Sequence, residues 1–250
     1  MQSYLTLTRR ELSAYFLSLT GYIVIASTLF VIGFCFKVLL ETLQQEPTPM
    51  PVTQLFYVTW YFLLILLFPI PVITMRLFAL EKFSGTFETL MTAPVRDFEV
   101  VLAKFSAAFL FFVLMWLPHI GCLWIVRRFS NDPAALDVGT IASTFCGILL
   151  MGGLLISLGC FASALTRSQV TAAIIGLVFG LTFFLIAVLA DQLPAQGGWQ
   201  GQFLAYFSPF EHLRDFARGV IDTRAVIFYV TQILFFLFLT LRVVESRRWK

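Results

Sequence analysis

Charged residues are scarce in this sequence. They make up 12% of its 250 residues, whereas 59% are hydrophobic, and soluble domains carry about 25% charged residues. The mean hydropathy is +0.89. So little charge cannot cover the surface of a water-soluble protein of this length, which excludes an ordinary soluble domain. No nucleic-acid partner is expected.

Residues that hold cofactors or perform catalysis are also few. The four cysteines all lie in apolar runs, without metal-ligand spacing or a disulfide framework, and we expect them to be packing residues. The sequence has no Gly-x-x-x-x-Gly-Lys-Ser/Thr phosphate loop, no His-Glu-x-x-His and no Gly-x-Ser-x-Gly. No acidic residue lies in the middle of an apolar run, which disfavours an ion-coupled carrier. We therefore expect no enzymatic activity, no metal and no cofactor in this chain, and a partner as the energy source of any active transport.

The charged residues cluster and leave long uncharged runs between them. A membrane-spanning helix needs about 17–25 apolar residues, and six runs meet that length: 12–36, 47–75, 105–126, 138–166, 168–190 and 225–241. A further run, 192–210, is rich in Pro, Gly and Gln and is not expected to span. The pattern predicts an all-α membrane protein with one transmembrane domain over residues 1–250. Its approximate spans are 17–38, 55–76, 104–126, 140–164, 169–190 and 224–243.

The distribution of basic residues predicts the orientation of these spans. An even number of spans places both termini on one side of the membrane, and that side would carry eleven of the 17 Lys and Arg residues. Because loops rich in Lys and Arg face the cytoplasm, both termini are predicted to be cytoplasmic. The run that begins at residue 12 is too long for a typical signal peptide and is expected to be the first span.

Residues 2–16 precede the first span and have helical periodicity. One face is mostly apolar or aromatic: Tyr4, Leu5, Thr8, Leu12, Tyr15 and Phe16. The other face is polar: Gln2, Thr6, Arg9 and Ser13. This pattern favours an amphipathic helix in the cytoplasmic interface of the membrane. The alternative is a simple extension of the first span into water.

The loop of residues 76–104, between spans two and three, is the longest on the predicted cytoplasmic side. Four apolar side chains recur there at helical spacing: Phe83, Phe87, Leu90 and Met91. The opposite face carries Glu81, Gly85, Glu88 and Thr92. The spacing predicts a short amphipathic helix over 81–92 that stops before Pro94. Pro94 suits the first turn of the next helix, which continues through Glu99 and Lys104. The short helix is either a solvated loop helix or a docking surface that transmits force.

On the predicted outer side, residues 191–224 contain a strong helix start. Ser208 can cap this helix, Pro209 fits its first position, and Glu211 completes a capping box. Gly219 suits the end of the helix. The following span is expected to be capped by one of two residues, Asp222 or Thr223.

Aromatic residues precede this outer helix, as they do at membrane interfaces: Trp199, Phe203, Tyr206 and Phe207. The helix itself is predicted to have an apolar face formed by Phe210, Leu213 and Ala217, with Phe216 and Val220 beside it. Together they predict a re-entrant or interfacial helical hairpin between spans five and six.

The loop resembles the cytoplasmic signature of ABC-2 type permeases. The matching residues are Glu81, Lys82, Gly85, Thr86, Glu88, Leu90, Pro94, Glu99 and Lys104. The outer stretch FSPFEHLRDFARGVID, from Phe207, resembles the Ser-Pro segment and the Arg-Gly-x-Ile-Asp ending of that family. Within it, the chain is most similar to permeases of gliding motility and of nitrous-oxide-reductase maturation. It departs from the pattern at Arg96, where a capping Ser or Thr is expected, and at Ala103, where Gly is common.

The resemblance implies a complex of two permease subunits, as a homodimer or a heterodimer, with two ATPase subunits that bind ATP and Mg. It implies export by alternating access across a bacterial-type inner membrane. The residues implied in coupling to the ATPase are Glu81, Lys82, Phe83, Gly85, Thr86, Phe87, Glu88, Leu90, Pro94 and Lys104. The residues implied in the outer helix are Ser208, Pro209, Glu211, Arg218, Gly219 and Asp222. The apolar face of the loop helix would either fill a groove on the ATPase or pack under its own spans.

Two alternatives to an exporter stand beside this interpretation. The first is a subunit of a motility or assembly complex that uses the same ATPase but exports nothing. The second is an enzyme that works within the membrane. Its few candidate polar residues are His119, Asp191 and His212, which form no known catalytic arrangement.

Overall fold

The computed structural model of the protein describes residues 2–45, 52–87, 95–129, 137–192 and 206–246. Over these ranges the chain forms helices and turns without strands, which confirms the all-α class. The helices are α1 (Gln2–Phe16), α2 (Leu19–Gln45), α3 (Val52–Tyr57), α4 (Trp60–Leu67), α5 (Pro69–Thr74), α6 (Ala79–Ser84), α7 (Asp97–Phe129), α8 (Val138–Leu165), α9 (Gln169–Gln192), α10 (Pro209–Ala217) and α11 (Thr223–Ser246).

Six helical stretches in the described ranges are long and apolar enough to cross a bilayer. They are Leu19–Leu43, Tyr61–Ser84, Asp97–Ile125, Val138–Leu165, Gln169–Ile186 and Thr223–Ser246. The predicted number of spans is therefore confirmed, and the protein is a multi-pass membrane protein. The side of the membrane on which the termini lie stays a prediction.

The second span is broken rather than regular. Helix α4 ends at Leu67, and α5 begins at Pro69, with a second proline at position 71. Proline has no amide hydrogen to donate to the preceding turn, so the helix bends or restarts where proline occurs. After a turn at residues 75–78 the chain enters α6. We call the end of the bundle that contains α1, α6 and the first turns of α7 the α1 end, and the other end the α10 end.

Helix α8 is the central helix of the bundle. It is the most deeply buried of the spans, and it packs against α5, α7, α9, α10 and α11. Glycines allow this close packing, because a Cβ atom at Gly159 would overlap the side chain of Thr74 and one at Gly152 would overlap the ring of Phe112. Small residues of this kind set the separation of membrane helices.

The peripheral helices α2, α9 and α11 bury far less of their surface than α8 does. Each leaves large apolar side chains exposed, such as Phe30 on α2, Ile174 on α9 and Leu234 on α11. Exposed apolar faces of this length are suited to lipid contact or to helices of another subunit.

Helix α1 is separate from the first span. The chain turns at Leu17 and Ser18 before α2 begins at Leu19, so the continuous extension considered from the sequence is wrong. Leu5, on the predicted apolar face, is exposed, whereas Thr8 and Tyr15 are buried.

Aromatic contacts attach α1 to its neighbours. The ring of Tyr15 stacks on that of Phe111 in α7, with 4.7 Å between the centroids. Its hydroxyl donates a hydrogen bond of 2.8 Å to the carbonyl of Ile73 in α5. A hydrogen bond also attaches the N-terminal end of α1 to α7, because the Tyr4 hydroxyl donates to Oγ of Ser106 at 2.8 Å. The helix is thus anchored to two spans along its length.

Candidate functional site: the loop between the second and third spans

The loop helix is shorter than the sequence predicts. Helix α6 ends at Ser84, and Gly85 follows with a φ of +76°. This left-handed conformation favours glycine and ends helices. A single helix over 81–92 is therefore wrong, because the chain changes direction at Gly85. The remainder of the predicted helix, with Glu88, Leu90, Met91 and Thr92, lies outside the described residues.

The turn at Gly85 separates two phenylalanines that the spacing placed on one face. Phe83, before the turn, is 77% exposed, whereas Phe87, after it, is 7% exposed. Ser84 and Thr86, which flank the glycine, are exposed as well, and their hydroxyl oxygens are 2.8 Å apart. Phe83 thus projects from the bundle while Phe87 packs into it.

The next predicted boundary also differs. The third span begins as a helix at Asp97, with non-helical residues at Val95 and Arg96. Pro94, which was predicted in the first turn of that helix, lies outside the described residues. The amide of Arg96 lies 3.5 Å from a carboxylate oxygen of Glu99, so a side chain from inside the helix satisfies an amide at its start.

The start of α6 is held by Ser163 of α8. The backbone amides of Phe78 and Ala79 both donate to Oγ of Ser163, at 3.0 and 3.1 Å, and Ser163 donates to the carbonyl of Met75 at 3.1 Å. The first amides of a helix have no partners within the helix. A side chain of the fourth span supplies those partners here and joins α6 to α8.

Lys82 makes a second connection from α6 to α8. Its ammonium donates to the carbonyl of Ala164 in the last turn of α8 and lies 5.3 Å from the ring centroid of Phe87. A cation is favourable at the C-terminal end of a helix, where the final carbonyl groups lack partners. Lys82 is buried, so it belongs to the interior of the α1 end.

Glu81 belongs to a group of four charged side chains. The Nζ atom of Lys104 in α7 lies 2.9 Å from Oε1 of Glu81 and 3.1 Å from Oε1 of Glu11 in α1. The guanidinium of Arg10 bonds the same two oxygens, at 3.0 Å to Glu81 and 2.6 Å to Glu11. We call Arg10, Glu11, Glu81 and Lys104 the charge cluster. It joins α1, α6 and α7.

The charge cluster is neutral overall and mostly shielded from solvent. The side chain of Lys104 is 2% exposed, and its ammonium also lies 5.5 Å from the ring centroid of Phe78. Burial of an unpaired ammonium would be strongly unfavourable. Two carboxylates therefore explain why a lysine is tolerated at this buried position.

The electrostatics of α1 reflect the same contacts. Burial alone would raise the pKa of Glu11, but the neighbouring charges of Lys104 and Arg10 outweigh it, and the pKa of Glu11 lies below its ordinary value. The hydrogen bond to Glu11 raises the pKa of Arg10, although burial opposes this. Both side chains are therefore stabilised in their charged forms.

The sequence identified half of the charge cluster. Glu81 and Lys104 belong to the loop signature, whereas Arg10 and Glu11 were not singled out. A signal was present, because Glu11 recurs at helical spacing with Tyr4, Thr8 and Tyr15 on the side of α1 that packs against the protein. A carboxylate on a buried helix face indicates a buried cationic partner.

The outer segment forms helix α10 between Pro209 and Ala217, as the helix start predicts. The predicted capping box is wrong, because the Ser208 side chain makes no capping bond and Glu211 instead bonds Arg214, at 3.0 Å. Oγ of Ser208 is buried without a partner among the described residues, so it faces the protein and not the free amides. The first arm of the predicted hairpin lies outside the described residues.

The end of α10 follows the prediction. Gly219 has a φ of +88°, and the amide of Val220 donates to the carbonyl of Asp215 at 3.0 Å, which closes the helix in a Schellman motif. Asp222 accepts a hydrogen bond of 2.8 Å from the amide of Arg224 and caps α11. Val220 was expected beside the apolar face of the helix but is exposed.

Several hydrogen bonds attach the end of α10 to other elements. Oγ of Ser143 in α8 donates to the carbonyl of Phe216 at 2.7 Å, and Oγ1 of Thr53 in α3 donates to that of Ala217 at 2.9 Å. Nε of Arg218 donates to the side-chain oxygen of Gln54 at 3.4 Å, a longer and weaker bond. The outer helix is thus fixed to the second and fourth spans.

The two histidines considered for an intramembrane enzyme have different partners in the described structure. His119 forms a buried hydrogen bond of 2.7 Å with the hydroxyl of Tyr57. His212 is in α10, where its ring packs near those of Phe228 and Tyr229. Burial lowers the pKa of His212, although Asp215 and Asp222 oppose this. The side chain of Asp191 lies outside the described residues, and the described part of the chain has no group of three His, Cys, Asp or Glu that could hold a metal.

Comparison with known proteins identifies a family. The family model described as ABC-2 family transporter protein matches residues 53–244, which is most of the chain. The match includes the loop between the second and third spans, helix α10 and most of the sixth span. A comparison with curated protein sequences gave no match.

Proposed function

Because the chain belongs to the ABC-2 family of transporter proteins and is a transmembrane ABC transporter subunit, we propose that it is the permease of an exporter driven by a separate ATPase. In this proposal two permeases, as a homodimer or a heterodimer, assemble with two ATPase subunits that bind ATP and Mg. Both termini and the loop between the second and third spans face the cytoplasm.

The attachment of α6 to three spans carries this proposal. Covalent continuity joins α6 to the second span, the Glu81–Lys104 ion pair joins it to the third, and the bonds of Ser163 and Lys82 join it to the fourth. Since Lys82, Lys104 and Ser163 are buried, we expect a displacement of α6 to move all three spans. A six-residue helix with such contacts is suited to receive movement from an ATPase and transmit it to the membrane domain.

Phe83 supports a docking role for the tip of this loop. It is a large apolar side chain that projects from the α1 end, surrounded by the exposed Ser84, Gly85 and Thr86. Aromatic side chains that fill a partner's pocket often dominate the energy of an interface. We propose that Phe83 enters a groove of the ATPase, while Phe87 packs under the spans of its own chain. The sequence left open whether the apolar face of the loop helix docks on the ATPase or packs under its own spans. In this proposal Phe83 does the first and Phe87 the second.

The first test is purification of the tagged chain from its native membranes in mild detergent, with mass spectrometry and an ATPase assay. An ATP-hydrolysing protein with a phosphate-binding loop should accompany the wild-type chain and be lost from Phe83→Ala. Glu245→Gln is the matched control, because Glu245 forms a surface ion pair with Arg242, at 3.0 Å, and is not a member of the charge cluster.

Two outcomes would contradict parts of the proposal. Purification of the chain as a homo-oligomer without an ATPase would contradict the permease role itself. Hydrolysis without movement of any compound from a panel of lipids and amphipathic dyes, in sealed vesicles, would instead favour the non-exporting subunit of a motility or assembly complex.

A further inference from the structure

We propose that Glu11 of α1 is a positioning residue for the coupling loop, and that α1 transmits the movement of α6 to the first span. This inference rests on the proposed function, because it assumes that an ATPase moves α6. It adds an element that lies outside the loop and outside residues 53–244, over which the family model matches.

The geometry of the charge cluster gives Glu11 this role. Glu81 is held through Oε1 alone, since its Oε2 is buried and has no hydrogen-bond partner among the described residues. Both cations that hold Oε1 of Glu81 also contact Oε1 of Glu11. The position of Glu81 therefore depends on where Glu11 places Lys104 and Arg10.

Burial distinguishes this arrangement from an ordinary surface pair. Exposed ion pairs contribute little, because solvent screens them. Glu11 and Glu81 are 14% and 15% exposed, and Lys104 is 2% exposed. Without Glu11, the buried ammonium would retain one carboxylate in place of two, and Arg10, which is 54% exposed, would lose the closer of its two partners and keep Glu81 alone. The link between α6 and α1 would then be weaker, while the Glu81–Lys104 pair that joins α6 to α7 remains.

Helix α1 also connects the charge cluster to the first span. It contacts α7 through Tyr4 and Tyr15, and it leads into α2 through the two-residue turn at 17–18. That turn is held from the loop side, because Nη1 of Arg76 donates to Oγ of Ser18 at 2.9 Å and to Oγ1 of Thr20 at 2.8 Å. Movement of α6 thus has a path to the first span through α1, in addition to its direct path to the third.

Two native cysteines can report on these two paths. Cys35 is half-buried in α2, and Cys122 is exposed in α7. The experiment uses the complete permease–ATPase complex in lipid vesicles, with versions of the permease that retain one of these cysteines. The rate of modification by N-ethylmaleimide is measured without nucleotide and after trapping with ATP, Mg and vanadate. The variants are Glu11→Gln, Glu81→Gln and the control Glu245→Gln.

In the wild-type complex, trapping should change the rate of N-ethylmaleimide modification at both cysteines by about fivefold or more, which is the lower end of the effects seen between coupled sites. Glu11→Gln should lose the change at Cys35 and retain it at Cys122, because the Glu81–Lys104 pair remains. Glu81→Gln should lose both changes, and Glu245→Gln neither. Selective loss at Cys35 is a readout that a general loss of stability would not produce.

If Glu11→Gln fails to assemble, Arg10→Gln replaces it, because Arg10 is 54% exposed and is the residue of α1 that bonds Glu81 directly, at 3.0 Å. A nucleotide response at Cys35 that survives both variants, while Glu81→Gln abolishes it, would overturn the role of α1 and leave the proposed function intact. The absence of any response at Cys35 in a wild-type complex that hydrolyses ATP would also overturn it. Failure to recover an ATPase with the wild-type chain would contradict the proposed function itself.

Discussion

Phe83 and Phe87 lie on opposite sides of the turn at Gly85, the first projecting from the bundle and the second packed into it. The turn therefore divides the loop into a tip available to a partner and a base that belongs to the membrane domain. Substitutions on the two sides are expected to have different consequences, although the two residues are chemically identical and four positions apart.

Phe83→Ala and Phe87→Ala should separate docking from stability. Removing the exposed ring should change the free energy of unfolding by less than about 0.5 kcal/mol and reduce recovery of the ATPase. Removing the buried ring should destabilise the chain by about 3–5 kcal/mol. Thermal unfolding in detergent and quantitative co-purification measure the two effects. Equal loss of stability in both variants would show that Phe83 is also a packing residue.

The bilayer explains why so much of the fold could be predicted. Its thickness fixes the length of an apolar helix, so runs such as 138–166 and 168–190 indicate spans without reference to tertiary contacts. Periodicity is less informative in the loop, because it assumes a continuous helix. Gly85 could have been interpreted as a helix end, but its position on the polar face also suited an uninterrupted helix.

The charge cluster could be predicted only in part. Glu81 and Lys104 follow from the loop signature, but their neighbours come from α1, about 70 and 93 residues away along the chain. Contacts at such separations depend on how the helices pack, which no local pattern specifies. The outer helix shows a similar limit. Pro209 and Gly219 predict its ends from backbone preferences, whereas the side chain of Ser208 is buried and makes no capping bond, which the sequence does not indicate.

Gly85→Ala tests the turn itself. A Cβ at this position would meet no atom within 4 Å, so the cost arises from the positive φ alone and should be about 1 kcal/mol or more. Gly33→Ala is the matched control, because its Cβ would also meet nothing, in the middle of α2, and alanine there should be neutral or stabilising by about 0.5–1 kcal/mol. Thermal unfolding should rank Gly33→Ala, wild type and Gly85→Ala in decreasing stability.

We expect Gly85→Ala also to lower the ATP hydrolysis of the complex, because a shifted turn displaces Phe83. Membrane insertion should be unaffected, as judged by its yield in the membrane fraction. Wild-type hydrolysis in a Gly85→Ala complex of reduced stability would show that the geometry of the turn does not matter for coupling.

Ser143→Ala should loosen the outer helix. The substitution leaves the buried carbonyl of Phe216 without the 2.7 Å bond from Oγ, although Thr144 lies 3.4 Å from the same oxygen. An unsatisfied buried acceptor costs about 1–3 kcal/mol. Hydrogen exchange of residues 209–217 should accelerate, while exchange in α1 stays constant. Ser27→Ala is the control, since Oγ of Ser27 bonds only within the exposed face of α2. Equal exchange in the two variants would indicate that the remaining bonds, from Thr53, Thr144 and Arg218, are enough to secure α10.

The pH dependence of stability should report on Glu11. Its pKa in the folded protein is lower than the ordinary value of 4.5, so the folded state favours the carboxylate. The contribution to stability is therefore complete at pH values above 4.5, where the unfolded chain is also ionised, and is lost as the pH falls through the lowered pKa. Wild type should be more stable than Glu11→Gln at pH 6 to 7, and this difference should shrink below about pH 4.5. Unfolding temperatures in detergent between about pH 3 and 7 measure it, with Glu245→Gln as the control. A difference that stays constant over this range would mean that Glu11 acts through its shape and not through its charge.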